Sequence, residues 1–111
     1  MASGAHVALA YLGEEVIGTV SSAFDRVSEE SGEIMRLAVL PRYRGNDYGR
    51  ELMMCAETQL RTAGALVAEL SIVAQFRRLQ SYYERLGYSA KSLKRVASLP
   101  FEVLFMEKKL L

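Results

Sequence analysis

Apolar and polar residues alternate in blocks along the chain, and the blocks in its first third predict strands. Two apolar runs, His6 to Leu12 and Val16 to Phe24, flank the turn residues Gly13-Glu14-Glu15, and this pattern predicts a β-hairpin. The polar and charged segment Asp25 to Gly32 predicts a loop. A third apolar run, Glu33 to Leu40, predicts the next strand.

The remainder of the chain predicts helices that alternate with strands. Helical periodicity extends from Gly49 to Ala63, with an apolar stripe formed by Leu52, Ala56, Leu60 and Ala63. The apolar run Ala65 to Ala74 predicts a buried strand parallel to the third one, joined to it by a right-handed crossover. A second helix is predicted over Phe76 to Leu86, and two strands are predicted around Ser89 to Ala97 and Phe101 to Lys108. The order β-β-β-α-β-α-β-β predicts an α/β fold with a mixed sheet.

Composition and charge restrict the class of protein. The chain has 111 residues, 50% of them hydrophobic and 24% charged, so we expect one domain over residues 1–111. A net charge of +1 provides no large basic surface, and we expect no nucleic-acid partner. One cysteine excludes an intrachain disulfide, and with a single histidine it argues against a metal site. The N-terminus shows no signal peptide and the chain no membrane span, so we expect a cytoplasmic protein.

The most informative segment, Arg42 to Arg50, lies between the third strand and the first helix. Backbone amides are free at the start of a helix, the helix dipole is positive there, and glycine lets a ligand approach the backbone. Three arginines, Arg42, Arg44 and Arg50, add positive charge. The segment therefore predicts a binding site for a phosphate-bearing cofactor.

Two motifs in this chain resemble those of the GNAT superfamily, the acyl-CoA-dependent N-acetyltransferases. Leu37 to Gly49 resembles motif A, in which Arg44 takes the first position, Asp47 stands where glycine is expected, and Gly49 takes the last position. Tyr83 to Tyr88, with the sequence YERLGY, resembles the second signature of the family. The resemblance extends over residues 6–109. It implies a GNAT-like acyl-CoA N-acyltransferase fold that lacks the usual first strand and first two helices.

The resemblance also implies acetyl-CoA as co-substrate and no metal. In the family the sheet splays after the third strand present here, and the pantetheine arm pairs there with the backbone of residues that match Leu37, Ala38 and Val39. The pyrophosphate is held by backbone amides at the positions of Arg44, Gly45, Asn46, Asp47, Tyr48 and Gly49, with Arg50 nearby. The carboxylate of Asp47 either lies beside the pyrophosphate and repels it, or caps the helix N-terminus and points away from the ligand. A capping Asp47 that occupies those amides would compete with phosphate.

Two residues are candidates for catalysis by the same resemblance. Tyr83 aligns with the tyrosine that acts as general acid toward the leaving thiolate, and a phenol with pKa about 10 keeps its proton at neutral pH. Glu33 aligns with a glutamate that acts as base. The alternatives are a core role for Tyr83, with Tyr82 as acid, and an ordinary strand-end position for Glu33.

Strand alternation assigns the residues of the third strand to two faces. Glu33, Met35, Leu37 and Val39 are expected on one face, and Ile34, Arg36 and Ala38 on the other. Arg36 within an apolar strand needs a partner, which is either a carboxylate of the substrate or a structural acid.

The function implied is transfer of an acetyl group from acetyl-CoA to a primary amine of a small molecule or peptide, by direct attack. The family's opening strand and two helices, which form one wall of the acceptor site, have no counterpart before His6. The acceptor groove is therefore more open, or is completed by a second subunit, or the chain is a fragment. An open sheet edge favours a homodimer. The alternative is a reduced GNAT-like domain that binds acyl-CoA or a protein partner without catalysis. Asp47, the missing N-terminal helices and Phe76 favour it, since Phe76 stands where many family members have an asparagine that bonds the pantetheine arm.

Overall fold

The computed structural model describes residues 4–24 and 30–111. Within these ranges the chain forms six strands and two α-helices: β1 (Gly4–Leu12), β2 (Glu15–Phe24), β3 (Ser31–Val39), α1 (Tyr48–Ala63), β4 (Val67–Val73), α2 (Arg77–Arg85), β5 (Ser89–Arg95) and β6 (Glu102–Lys109). The predicted order of elements is confirmed. Of the predicted loop Asp25 to Gly32, residues 25–29 lie outside the described ranges, and Ser31 and Gly32 already belong to β3.

The strands form one mixed sheet in the order β1-β2-β3-β4-β6-β5. Among the strands of the described residues, β3 and β4 are the only parallel neighbours, and the other neighbours are antiparallel. The connections β3–α1–β4 and β4–α2–β5 advance across the sheet in the same direction. Because such crossovers are right-handed, both helices lie on the same face of the sheet.

Helix α1 lies close to β2 and β3 because two glycines provide the space. A Cβ added at Gly32 would stand 2.5 Å from Cδ2 of Leu60, and one added at Gly18 would stand 2.9 Å from Cδ1 of Leu52. The helix ends at Gly64, whose positive φ of 110° lets its amide bond to the carbonyls of Leu60 and Arg61. The core between the helices and the sheet is formed by Val20, Phe24, Ile34, Leu52, Met53, Ala56, Leu60, Ala65, Ala68, Leu70, Ile72, Tyr83, Tyr88, Leu104, Met106 and Leu110.

The opposite face of the sheet carries exposed apolar side chains. On β1, Val7, Leu9 and Tyr11 are exposed, while Ala8 and Ala10 between them are half-buried beside the core. None of the helices in residues 4–24 and 30–111 has both the length and the apolar content needed to cross a membrane. The same residues contain no group of three or more His, Cys, Asp or Glu side chains placed to hold a metal ion.

Candidate active site

A cleft of about 1040 Å³ opens on the helix-covered side of the sheet. Its walls are the end of β3, the loop that follows, and the facing sides of α1 and α2. The volume is in the range of pockets that hold cofactors and substrates. The lining residues are Leu37, Ala38, Val39, Tyr43, Arg44, Gly45, Asp47, Tyr48, Gly49, Arg50, Met53, Met54, Glu57, Leu79, Tyr82, Tyr83, Arg85, Leu86 and Lys108.

The cleft exists because β3 and β4 separate after a short paired segment. Ser31, Gly32 and Glu33 pair with Val67, Ala68 and Glu69, and the pairing ends there. Beyond Glu33, β3 pairs only with β2 on its other side. The backbone of Leu37, Ala38 and Val39 is therefore free of strand pairing along the edge that faces the cleft.

A bulge at Arg36 reverses which face of the sheet the following side chains of β3 point to. Arg36 has φ of 57°, which is unusual for a residue other than glycine. Ser21 of β2 pairs with Met35 but Thr19 pairs with Ala38, so three steps on β3 match two steps on β2. The expected alternation is therefore wrong beyond Met35, because the extra residue shifts every following side chain by one position. Among the described residues, none forms an ion pair with Arg36.

The loop after β3 exposes free amides toward the cleft at the start of α1. Gly45 and Asp47 have positive φ of 87° and 65°, and a glycine fits this conformation most readily. Asp47 occupies the N-cap position, but its side chain makes no capping hydrogen bond, so the expectation that it caps the helix is wrong. The first helical bond runs from the amide of Glu51 to the carbonyl of Asp47. None of the described residues accepts a hydrogen bond from the amides of Tyr48, Gly49 or Arg50.

The three arginines of the loop have different surroundings. Nε of Arg44 donates to the carbonyl oxygen of Val39 at 3.0 Å. Arg42 forms an ion pair with Glu15, which also accepts a hydrogen bond from the hydroxyl of Tyr43 at 2.9 Å. These contacts fix the loop to the end of β3 and to the first residue of β2. The exposed guanidinium of Arg50 has no protein ion-pair partner in the described ranges, so it can act on a ligand.

Two adjacent tyrosines of α2 project into different parts of the cleft. The hydroxyl oxygen of Tyr82 stands 2.6 Å from the place where a Cβ on Gly49 would lie, so Tyr82 covers the start of α1. Tyr83 is only 8% exposed and packs between Tyr82 and Tyr88, with ring centroids at 5.3 Å and 6.0 Å. Burial, with a smaller effect of Tyr82, raises the pKa of Tyr83 to about 12. Tyr83 therefore stays protonated at neutral pH and can donate a proton to a group in the cleft.

Glu33 does not line the cleft. It is exposed and lies beside Glu69 in the last residue pair before β3 and β4 separate. Of the two predicted catalytic residues, the structure therefore brings only Tyr83 into the cleft with the loop, while Glu33 lies at the point where the sheet divides. Of the predicted cofactor-binding residues, all of which the structure describes, only Asn46 lies outside the lining. Its side-chain amide donates to the carbonyl of Tyr43 at 3.3 Å.

Several residues of the cleft were not predicted from the sequence. Glu57 of α1 is 5% exposed, accepts a hydrogen bond from Tyr88 at 2.7 Å and pairs with Lys108 of β6 at 3.0 Å. Its signal in the sequence is a lone carboxylate four residues after Met53 and three before Leu60, two fully buried residues of α1. Met54 and Lys108 also line the cleft, and no pattern in the sequence distinguished them. Arg85 lines it too and belongs to the motif Tyr83 to Tyr88, but was given no role.

Comparisons with known proteins agree with this geometry. A curated relative, the aminoalkylphosphonate N-acetyltransferase of Salmonella typhimurium, is 34% identical over 97 residues, which are 85% of this chain and 63% of that protein. The chain therefore spans less than two thirds of the relative's length.

Solved structures share the fold at lower identity. The ribosomal-protein-S18-alanine N-acetyltransferase of Escherichia coli superposes with a TM-score of 0.81 at 15% identity, over 96% of this chain and 69% of that chain. The PaiA N-acetyltransferase of Thermoplasma acidophilum, solved in complex with coenzyme A, gives a TM-score of 0.77 at 23% identity, over 95% and 60%. The family model for the acetyltransferase (GNAT) family matches residues 1–88. The chain therefore belongs to the GNAT family of acetyltransferases.

Proposed function

We propose that this protein transfers the acetyl group of acetyl-CoA to a primary amine. The observation that carries the proposal is the row of free amides of Tyr48, Gly49 and Arg50, at the start of a 16-residue helix that borders the cleft. Free amides at the positive end of a helix suit a diphosphate. The N-acetyltransferase named among the relatives supports the reaction class.

The residues present fit coenzyme A in three respects. The amides of the segment Gly45 to Gly49 would hold the diphosphate, whereas the amide of Arg44 already donates to the carbonyl of Pro41 at 3.2 Å. The unpaired guanidinium of Arg50 would add a charge-assisted contact. The edge of Leu37, Ala38 and Val39 that no strand covers would pair with the amide groups of the pantetheine arm, as an added strand does. The carbonyl of Val39 on this segment already accepts a hydrogen bond from Arg44. Bound in this way, acetyl-CoA supplies an activated acyl group as a thioester.

The side chains then have separate tasks in the transfer. The nitrogen of the acceptor forms the new C–N bond while the C–S bond breaks. The hydroxyl of Tyr83 gives its proton to the departing sulfur, and its raised pKa keeps that proton available at neutral pH. The proton of the amine goes to Glu33, and the position of Glu33 outside the cleft lining makes transfer through a water the expected route.

Aminoalkylphosphonates are the first acceptors to test, since the curated relative is named for them. Peptide amines are the second class. Calorimetry with coenzyme A, followed by thiol release from acetyl-CoA with aminomethylphosphonate and a panel of peptide amines, tests the proposal. We expect binding and turnover, with Tyr83→Phe retaining binding and losing about 100-fold in kcat.

A matched pair of variants locates the site of binding. Arg50→Ala should weaken coenzyme A binding by about tenfold or more, because it removes a charge-assisted contact. Arg95→Ala removes the same charge from β5, outside the cleft lining, and should leave binding unchanged. Equal effects of the two variants would show that general charge, and no local site, attracts the ligand. Binding without turnover of any amine would support the alternative, a non-catalytic acyl-CoA-binding domain.

A further inference from the structure

A polar cluster around a buried carboxylate connects α1, β6 and the residue before β5 at the wall of the cleft. Glu57 of α1 and Tyr88, at the start of the segment leading into β5, are 5% and 2% exposed. The hydroxyl of Tyr88 donates to Oε2 of Glu57 at 2.7 Å, and Nζ of Lys108 donates to Oε1 of the same carboxylate at 3.0 Å. Nζ of Lys108 also lies 5.7 Å from the ring centroid of Tyr88. Each member of the cluster therefore contacts the other two.

The cluster is costly in free energy unless every member is paired. A buried carboxylate needs a counter-ion and hydrogen bonds, and Glu57 has a hydrogen bond to each oxygen. Burial, and then the hydrogen bond to Glu57, raises the pKa of Tyr88, so its hydroxyl keeps the proton that it donates. An apolar trio would fill this place in the core without such requirements. The polar groups therefore call for an explanation beyond packing.

Tyr88 is joined directly to the residue that we assign as the general acid. The amide of Tyr88 donates to the carbonyl oxygen of Tyr83 at 3.0 Å, so the end of α2 is closed by Tyr88. The two rings also pack edge to face, with centroids 6.0 Å apart and planes at 72°. Tyr88 therefore contacts both the backbone and the ring of Tyr83.

Lys108 completes the connection from the opposite side. Gly87, between α2 and Tyr88, has φ of 102°, and an added Cβ there would lie 3.2 Å from Cε of Lys108. The stem of Lys108 thus lies against the turn, while its ammonium group reaches Glu57. The end of α2 is held between β6 and α1 through this one side chain.

We propose that Glu57, Lys108 and Tyr88 form a positioning cluster that sets the place of the Tyr83 hydroxyl in the cleft. The proposal rests on the proposed function, in which Tyr83 protonates the departing sulfur. None of the three residues transfers a proton in the reaction. Tyr88 acts through Tyr83, while Glu57 and Lys108 act through Tyr88.

A double-mutant cycle in kcat tests this dependence. Acetyl-CoA and the best acceptor of the panel, beginning with aminomethylphosphonate, are the substrates for the native protein, Tyr88→Phe, Tyr83→Phe and the double variant. Tyr88→Phe should lower kcat by about tenfold with little change in KM for acetyl-CoA, because misplacing a reacting group by a fraction of an ångström has effects of that size. In the Tyr83→Phe background the same change should alter kcat by less than about twofold, since the group being positioned is gone.

Glu57→Gln provides a second variant that keeps the shape of the side chain, and Tyr11→Phe is the control. Glu57→Gln leaves Lys108 without its counter-ion and should lower kcat in the same non-additive way. Tyr11→Phe makes the same chemical change on an exposed tyrosine of β1, outside the cleft lining, and should leave kcat unchanged. If Tyr88→Phe lowers kcat equally with and without Tyr83, the cluster is structural and the positioning role is refuted.

A measurement without turnover separates this proposal from the proposed function. Carbon-13 labelling at Cζ of tyrosine gives a resonance for Tyr83, assigned by its loss in Tyr83→Phe. That resonance should shift in Tyr88→Phe and in Glu57→Gln, and should not shift in Tyr11→Phe. A protein that turns over no amine but shows these shifts refutes the enzymatic function and retains the positioning geometry. An unchanged Tyr83 resonance in both cluster variants refutes the positioning.

Discussion

Replacing Gly49 by alanine brings two opposing effects together at the start of α1. An added Cβ would lie 2.6 Å from the hydroxyl oxygen of Tyr82, closer than side chains approach one another, and then 3.7 Å from Cζ of Tyr82 and 3.9 Å from Val39, which are ordinary contacts. The overlap with one atom should cost about 1–3 kcal/mol unless the ring moves. The φ of Gly49 is not positive, so alanine suits the backbone and helix propensity favours it by up to about 1 kcal/mol.

Whether Gly49→Ala stabilises or destabilises the protein therefore depends on the hydroxyl oxygen of Tyr82. With Tyr82 present, Gly49→Ala should lower the free energy of unfolding, by about 2 kcal/mol at most after the propensity gain is subtracted. In a Tyr82→Phe background the nearest remaining contacts are ordinary ones, and Gly49→Ala should raise stability by up to about 1 kcal/mol.

Urea unfolding of the four proteins at neutral pH measures both differences, because a change in midpoint at constant slope is a change in stability. A coupling energy near zero, with Gly49→Ala destabilising both backgrounds alike, would refute the contact between Tyr82 and Gly49. Calorimetry with coenzyme A on the same four proteins shows whether the overlap that Gly49→Ala creates with Tyr82 also changes coenzyme A binding.

Three further predictions concern the loop, the core and pH. Asp47→Gly should tighten coenzyme A binding by about fivefold at low salt, with a smaller gain at high salt, because it removes a carboxylate beside the diphosphate and suits φ of 65°; weaker binding in calorimetry would contradict this. Gly32→Ala should destabilise the protein by about 1–3 kcal/mol in urea unfolding, since its Cβ would meet Leu60 at 2.5 Å. The pKa of Tyr83 is raised to about 12 and that of Tyr88 is also raised, so the unfolded chain loses these protons first, above about pH 10, and stability falls from there upward. Above about pH 10, the urea midpoint of Tyr88→Phe should fall less than that of the native protein, because phenylalanine has no proton to lose. An equal fall in both proteins would refute the raised pKa of Tyr88 in the folded state.

The order of elements and the place of the loop between β3 and α1 were predictable because each depends on local sequence. Apolar runs, turn residues and helical periodicity report directly on backbone conformation. The positive φ of Asp47 also explains why that position in the motif carries a glycine: the backbone must be left-handed there, and aspartate is among the few other residues that tolerate it.

The features that escaped prediction depend on contacts between distant parts of the chain. Alternation along β3 fails at Arg36, because the bulge is set by pairing with Thr19 and Ser21, which no local pattern encodes. The sequence of α1 alone does not distinguish Glu57 from the other polar residues of the helix. Its partner Lys108 lies 51 positions later in the chain, so the pair is visible only in the folded structure. The position of Glu33 at the division of the sheet likewise follows from where the pairing with β4 ends.

The short seam between β3 and β4 has a consequence for how this protein opens. In the part of the chain that the structure describes, three residue pairs of β3 and β4, from Ser31–Val67 to Glu33–Glu69, join the two halves of the sheet. The amides of Leu66 and Val67, which donate to the carbonyl of Glu30, extend this contact by one step. The halves should therefore exchange amide hydrogens as two cooperative units, with Leu37 and Val39 among the earliest β3 amides to exchange. A ligand that spans both halves would merge them into one unfolding transition, so binding would be visible as a gain in cooperativity as well as in stability.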